Sequence, residues 1–177
     1  CLASAEFNDL LYLGMGSSLY KMNGTGDGFT LIDNFPRVIT ALADFSDSNL
    51  YIALGLSEPY WYMSTAEALT RSTAAVSIFK YFTMVDAATP VLWGSDSVNS
   101  IRSNTNPINS GAAWSGQTTV DTSYYDITKL LSKSGALYIM KENRPYYLNS
   151  SGAVQSDLAP ELEALKKSTD NGKNTVV

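Results

Sequence analysis

Short apolar and aromatic runs separated by polar turns fill this chain, and they return in a fixed order. A run containing a Leu-Tyr-like pair, a polar turn and a second short apolar or aromatic run reads as LLYLGMGSSLYKMNGTG from Leu10 and NLYIALGLSEPYWYMST from Asn49. It returns as PVLWGSDSVNSIRSNTN from Pro90 and ALYIMKENRPYYLNSSG from Ala136. Anchoring the copies on Tyr12, Tyr51, Leu92 and Tyr138 gives separations of 39, 41 and 46 residues. A second element precedes each copy: CLASAEF (1–7), VITALADF (38–45), IFKYFTMVD (78–86) and DITKLLSK (126–133). These segments are short, rich in β-branched or aromatic residues, and bounded by Ser, Asp, Asn and Gly, which are strand and turn signals. A weaker apolar stretch follows the aromatic run, as in GFTLID (28–33) and GAVQSDL (152–158).

Four short strands in a period of about 40 to 46 residues predict an all-β chain built as a β-propeller. The expected layout is one propeller domain over 1–177, with about four blades of four antiparallel strands, complete or part of a larger ring. The repeats are 1–37, 38–77, 78–125 and 126–173, with NTVV (174–177) opening a further blade. Tyr12, Tyr51 and Tyr138 are expected at equivalent strand positions, mostly buried between blades. Helical spacing of apolar residues occurs only in LAPELEALKK (158–167), where Pro160 and the early Glu161 and Glu163 suit a short helix.

The aromatic triplet Tyr60-Trp61-Tyr62 follows its turn as LYKM and YYL follow theirs, so packing between blades is its first reading. Three consecutive rings on a strand alternate in direction, however, so one of them faces away from its blade neighbour. Tyr60 and Trp61 are therefore also candidate ligand-binding residues. The other candidates lie in the longest irregular stretch, SNTNPINSGAAWSGQTTVD (103–121). There Trp114, with Asn106 and Asn109, could stack on a sugar ring and hydrogen-bond its hydroxyls. Filling a gap between blades is the competing role for Trp114.

The stretches LYIMKENRPYYL (137–148), YWYMSTAEA (60–68) and SNTNPINSG (103–111) resemble β-propeller repeat proteins of bacteriophage and environmental origin whose function is unassigned. That resemblance implies a scaffold or binding module on a virion or cell surface, hence an extracellular or virion-associated place, and it implies no catalytic residues.

Composition narrows the chemistry. Net charge is −5, and no cationic run exceeds Lys166–Lys167, so there is no track for phosphates and nucleic-acid binding is not expected. No apolar run approaches the ~20 residues of a membrane-spanning helix. Histidine is absent, which removes His-dependent nucleophilic catalysis and imidazole zinc sites. The single cysteine, Cys1, allows no intrachain disulfide. The turn NGTGDG (23–28) imitates a calcium loop but fails at Leu31 and Asn34, where ligands belong. No metal or cofactor is expected.

Arg37, Arg71, Arg102 and Arg144 fall at unlike places in the repeat, which argues against a sialidase-type arginine cluster. The expected function is a non-enzymatic scaffold that binds another protein chain or a glycan, or associates with itself through its terminal blades. Two alternatives stand beside it: a carbohydrate-active hydrolase using paired carboxylates, and a structural spacer in a larger assembly.

Overall fold

A computed structural model describes residues 2–108, 113–148, 152, 154 and 155. Sixteen strands form four antiparallel four-stranded sheets, each a meander of consecutive strands. Blade 1 holds β1 (Leu2–Phe7), β2 (Leu10–Met15), β3 (Ser18–Met22) and β4 (Phe29–Asn34). Blade 2 holds β5 (Ala41–Phe45), β6 (Asn49–Ala53), β7 (Trp61–Ser64) and β8 (Leu69–Arg71). Blade 3 holds β9 (Tyr81–Val85), β10 (Val91–Ser95), β11 (Ser100–Asn104) and β12 (Thr118–Thr119). Blade 4 holds β13 (Ile127–Lys133), β14 (Ala136–Lys141), β15 (Pro145–Leu148) and β16 (Val154–Gln155). The first strands pack against one another in sequence, β1 on β5, β5 on β9 and β9 on β13, so they are the inner strands of a propeller arc.

Local chemistry explains the hairpins. Asn8 and Asp9 take φ of 50° and 60°, and Ser134 and Gly135 take 51° and 75°. Two consecutive positive φ values define type I′ turns, whose twist matches that of the flanking strands. The linkers between blades are tied to the loop joining the second and third strands of the preceding blade. Ile39 N–H donates to Gly16 O at 2.8 Å, Tyr60 N–H to Ser77 O at 2.7 Å and Val120 N–H to Asn99 O at 2.7 Å. These loops and linkers share one rim of the arc; the hairpins joining first to second and third to fourth strands occupy the other.

Alternation along each strand sends residues to opposite faces of a blade, and three cores result. Phe7, Tyr12 and Leu19 meet Leu42, Leu50 and Ile52 between blades 1 and 2. Tyr51, Phe45 and Tyr60 meet Phe82, Leu92 and Trp114 between blades 2 and 3. Val85 and Ile101 meet Ile127, Leu130, Leu137 and Ile139 between blades 3 and 4. The aromatic triplet follows the same rule: Tyr60 and Tyr62 turn toward blade 3, while Trp61 turns back to blade 1, edge-on to Phe35 at 5.6 Å.

Two expectations need correcting. Tyr12, Tyr51 and Tyr138 do lie on second strands, but only Tyr12 and Tyr51 are buried. Tyr138 is half-buried because its neighbours Leu137 and Ile139 take the side facing blade 3, which leaves Tyr138 on the outer face of blade 4. In the third repeat, Leu92 points back into the core with blade 2, and Trp93 takes the direction of Tyr12 and Tyr51. The repeat anchor there is Trp93. The helix read over 158–167 and the strand read over 174–177 lie outside the described residues.

Gly94 marks the tightest of these packings. A Cβ there would come within 2.5 Å of Phe79 Cδ1 and 2.9 Å of Phe82 Cε1. Both rings are enclosed, so neither can yield at small cost. Gly94→Ala is expected to destabilise the fold by about 1–3 kcal/mol, as overpacked cores do, read as a lowered midpoint in urea with an unchanged slope.

Candidate binding surface

The residues expected to form a site are not brought together on the surface. Trp114 is 6% exposed and sits 4.2 Å from the Phe79 ring centroid, with Phe82 and Tyr60 around it. Its chain segment is pinned by Ser115 N–H to Ser103 O at 2.9 Å and by Arg102 Nη1 to Ser115 O at 2.8 Å. Tyr60 is fully buried and donates its hydroxyl to Pro107 O at 2.9 Å. Burial raises the Tyr60 pKa, and Ser72 and Trp114 act in the opposite sense. Trp61 is half-buried in the core between blades 1 and 2. The indole N–H groups of Trp61 and Trp114 are buried without a hydrogen bond of ordinary geometry among the described residues. Asn106 is exposed, its backbone N–H held by Asn104 Oδ1 at 2.8 Å. Asn109 lies outside the described residues. The stacking platform expected at Trp114 is thus part of the core.

A different aromatic pair reaches solvent. The linker from blade 3 to blade 4, residues 120–126, carries Tyr124 at 86% exposure beside the exposed Tyr125. Tyrosine joins an apolar ring to a hydroxyl that can hydrogen-bond, which suits it to surfaces that are covered on binding. The sequence carries one sign of this exposure: Tyr124 and Tyr125 are adjacent in DTSYYD, a polar stretch with no alternating apolar partners.

The loop under these rings is braced from blade 4. Lys141 is fully buried, and its ammonium donates to Val120 O and Thr122 O, both at 2.7 Å. Burial pushes the Lys141 pKa down, against the pull of Asp121 and Asp126. Asp121 adopts a left-handed φ of 57°, which Asp tolerates better than most residues. Its carboxylate accepts from the Tyr146 hydroxyl at 2.5 Å and from Asn143 Nδ2 at 3.2 Å. Arg144 Nε in turn donates to the Tyr146 hydroxyl at 2.8 Å, with its guanidinium 5.2 Å from that ring's centroid. Glu142 N–H donates to Asp126 O at 3.1 Å, which closes the far end of the loop. The rim between blades 3 and 4 therefore presents two tyrosines and the exposed Arg144 on a backbone fixed at both ends.

Carboxylates hold two parts of blade 3 and its linker, and this sets an acid limit. Burial pushes the Asp96 pKa up, but hydrogen bonds from Ser100, Arg102 and Gln117 outweigh it and the net shift is downward. The bond from Tyr146 is the main cause of the lowered Asp121 pKa. A lowered folded value means that the unfolded chain takes up protons first. The stabilisation is complete above the unfolded value of about 3.9 and is lost as pH falls through the lower folded values. The melting temperature is expected to drop over that acid window. Asp96→Asn should lower it at neutral pH while shrinking the acid-dependent part of the drop.

The fold and this rim define a class: a β-propeller arc with aromatic side chains displayed on one inter-blade loop. No known family matches the sequence, and no curated protein does. Solved structures do resemble it. Virginiamycin B lyase from Staphylococcus aureus matches with a TM-score of 0.67 at 13% identity, over 89% of this chain and 55% of that one. YCF48 bound to D1 peptide matches at 0.60 and 11%, over 87% and 51%. The N-terminal domain of Nup159 matches at 0.56 and 10%, over 85% and 45%. The chain spans about half the length of these proteins. At such identities the likeness shows the fold alone.

Proposed function

We propose that this chain is a non-enzymatic propeller module that binds another protein through the rim between blades 3 and 4. The observation that carries this reading is Tyr124, almost fully exposed on a loop braced by a buried lysine. Tyrosine and arginine dominate the energetics of protein interfaces, since they supply large contact area together with hydrogen-bonding groups. A backbone that is already fixed loses little entropy when a partner docks.

The comparisons are compatible with this reading. YCF48 is a propeller-like structure bound to a peptide. The enclosure of Trp114 favours a protein partner over a glycan, because the ring best suited to stack on a sugar has no free face. Selection of random peptides on the immobilised chain, run beside a glycan array, tests the choice. Enrichment of peptides that compete with one another, with a blank array, is expected. Glycan binding without peptide enrichment would replace this reading with a lectin-like one.

A further inference from the structure

We propose that the cavity between blades 3 and 4 is a binding site for a small molecule carrying one aromatic ring. The cavity measures about 290 Å³ and opens on the rim of the first hairpins, away from Tyr124. Its walls are Val85 and Trp93 of blade 3 with Leu137 and Leu148 of blade 4, and the exposed Ser134 and Gly135 stand at its mouth. Val85 and Leu137 are buried, while Trp93 and Leu148 are half-buried. This size lies at the small end of ligand pockets, which run from about 300 to 1,000 Å³. An apolar cavity of about 150 Å³ is enough to take up benzene.

The repeat shows what fits there. In blades 1 to 3 the last residue of the first strand lies two places beyond the partner of the second-strand anchor. Phe7 follows Ala5, the partner of Tyr12; Phe45 follows Ala43, the partner of Tyr51; Val85 follows Thr83, the partner of Trp93. In blades 1 and 2 a phenyl ring therefore stands beside the anchor, its centroid 5.9 Å from Tyr12 and 6.1 Å from Tyr51 respectively. In blade 3 that place holds a valine, and no ring among the described residues stands against Trp93. The facing leucines differ in the same way. In the cluster around Phe7 the cross-strand pair Leu50 and Met63 is fully buried. The counterpart pair beside Val85 is Leu137 and Leu148, and Leu148 is left half-open on the cavity.

A ring entering from this rim takes the place that Phe7 and Phe45 fill in their own blades. It meets an indole on one side and leucines on the other. Burial against apolar walls favours any apolar ring, and the aromatic pair with Trp93 adds an attraction that a saturated ring lacks. The cleft between blades 1 and 2, about 270 Å³, keeps Phe7 and Phe45 and is otherwise lined by Asn8, Asp44, Ser46, Ser48 and Thr65. Such walls suit water. Of these two clefts, the one beside Val85 is the apolar one.

Titration of the 177-residue chain with phenol, followed through methyl and indole NMR signals, tests this site. Saturable shifts confined to Val85, Leu137, Leu148 and Trp93 are expected, with a millimolar dissociation constant. Cyclohexanol should bind about two- to tenfold more weakly, for want of the aromatic pair. Val85→Phe supplies the missing ring from within the chain. It should weaken phenol binding by at least about tenfold and leave the melting temperature at or above that of the unaltered chain, because it fills a cavity. Leu148→Trp closes the cavity from blade 4, with the same loss expected, and stands in if the first variant does not fold. Replacing Tyr124 and Tyr125 with serine should leave phenol binding unchanged, which separates this site from the tyrosine rim. The proposal is overturned if the unaltered chain shows no saturable shift at these residues or binds cyclohexanol equally well. It is overturned too if a folded filling variant binds phenol as the unaltered chain does, or if the serine variant loses it.

Discussion

Trp114→Ala should cost about 3–5 kcal/mol of stability, the range for truncating a large aromatic ring in a core. For a chain of this size that lowers the melting temperature by about 6–20 °C. The size follows from the ring's surroundings. Trp114 touches Phe79, Phe82 and Tyr60, and these belong to the cluster that holds blade 2 to blade 3. Removing it opens a void that rings on both sides cannot fill without leaving their own contacts. Trp114→Phe keeps part of the volume and should recover part of the loss. A variant with an unchanged melting temperature would show the ring to be peripheral and would reopen its role as a ligand platform.

The second large effect falls on binding and leaves the fold alone. Replacing Tyr124 and Tyr125 with serine should weaken a rim-binding peptide by at least about 30-fold, the equivalent of one hot spot of about 2 kcal/mol. The melting temperature should stay within about a degree, because exposed substitutions away from structural features change stability little. Tyr124 has almost no surface against the protein, so its truncation leaves no cavity. Isothermal titration and thermal melting of the same preparation separate the two quantities. Equal losses in both would mean that the tyrosines act through the fold.

Much of the architecture was legible because strands in a propeller alternate. Leu50 and Ile52 face one neighbour while Tyr51 faces the other, and that pattern repeats in the sequence wherever a blade is covered on both sides. The third repeat misled by one residue. Its Val91-Leu92-Trp93 run starts after the longer connection 86–90, and the matching Leu-Tyr-like pair is Leu92–Trp93. Burial at Trp114 was harder to read. Its sequence neighbours are small or polar, as they are in a surface loop, and only the fold of 113–116 back onto Ser103 carries the ring inward.

Tyr124 and Tyr125 pose the converse difficulty. The polar setting of DTSYYD suggests a loop, but only Lys141, sixteen residues after Tyr125, fixes that loop at the rim with its rings outward. Tyr138 shows a further limit. Its residue type and register match those of Tyr12 and Tyr51, and only the absence of a blade against its face among the described residues leaves it half-buried.

Hydrogen exchange on the free and peptide-bound chain bears most directly on the central claim, because it maps the contact without altering any residue. Protection on binding is predicted over 121–126 and 142–146, the linker that carries Tyr124 and the turn that braces it. Protection centred instead on the opposite rim, at the hairpins around Asn8, Ser46 and Ser134, would contradict the assignment of the binding surface.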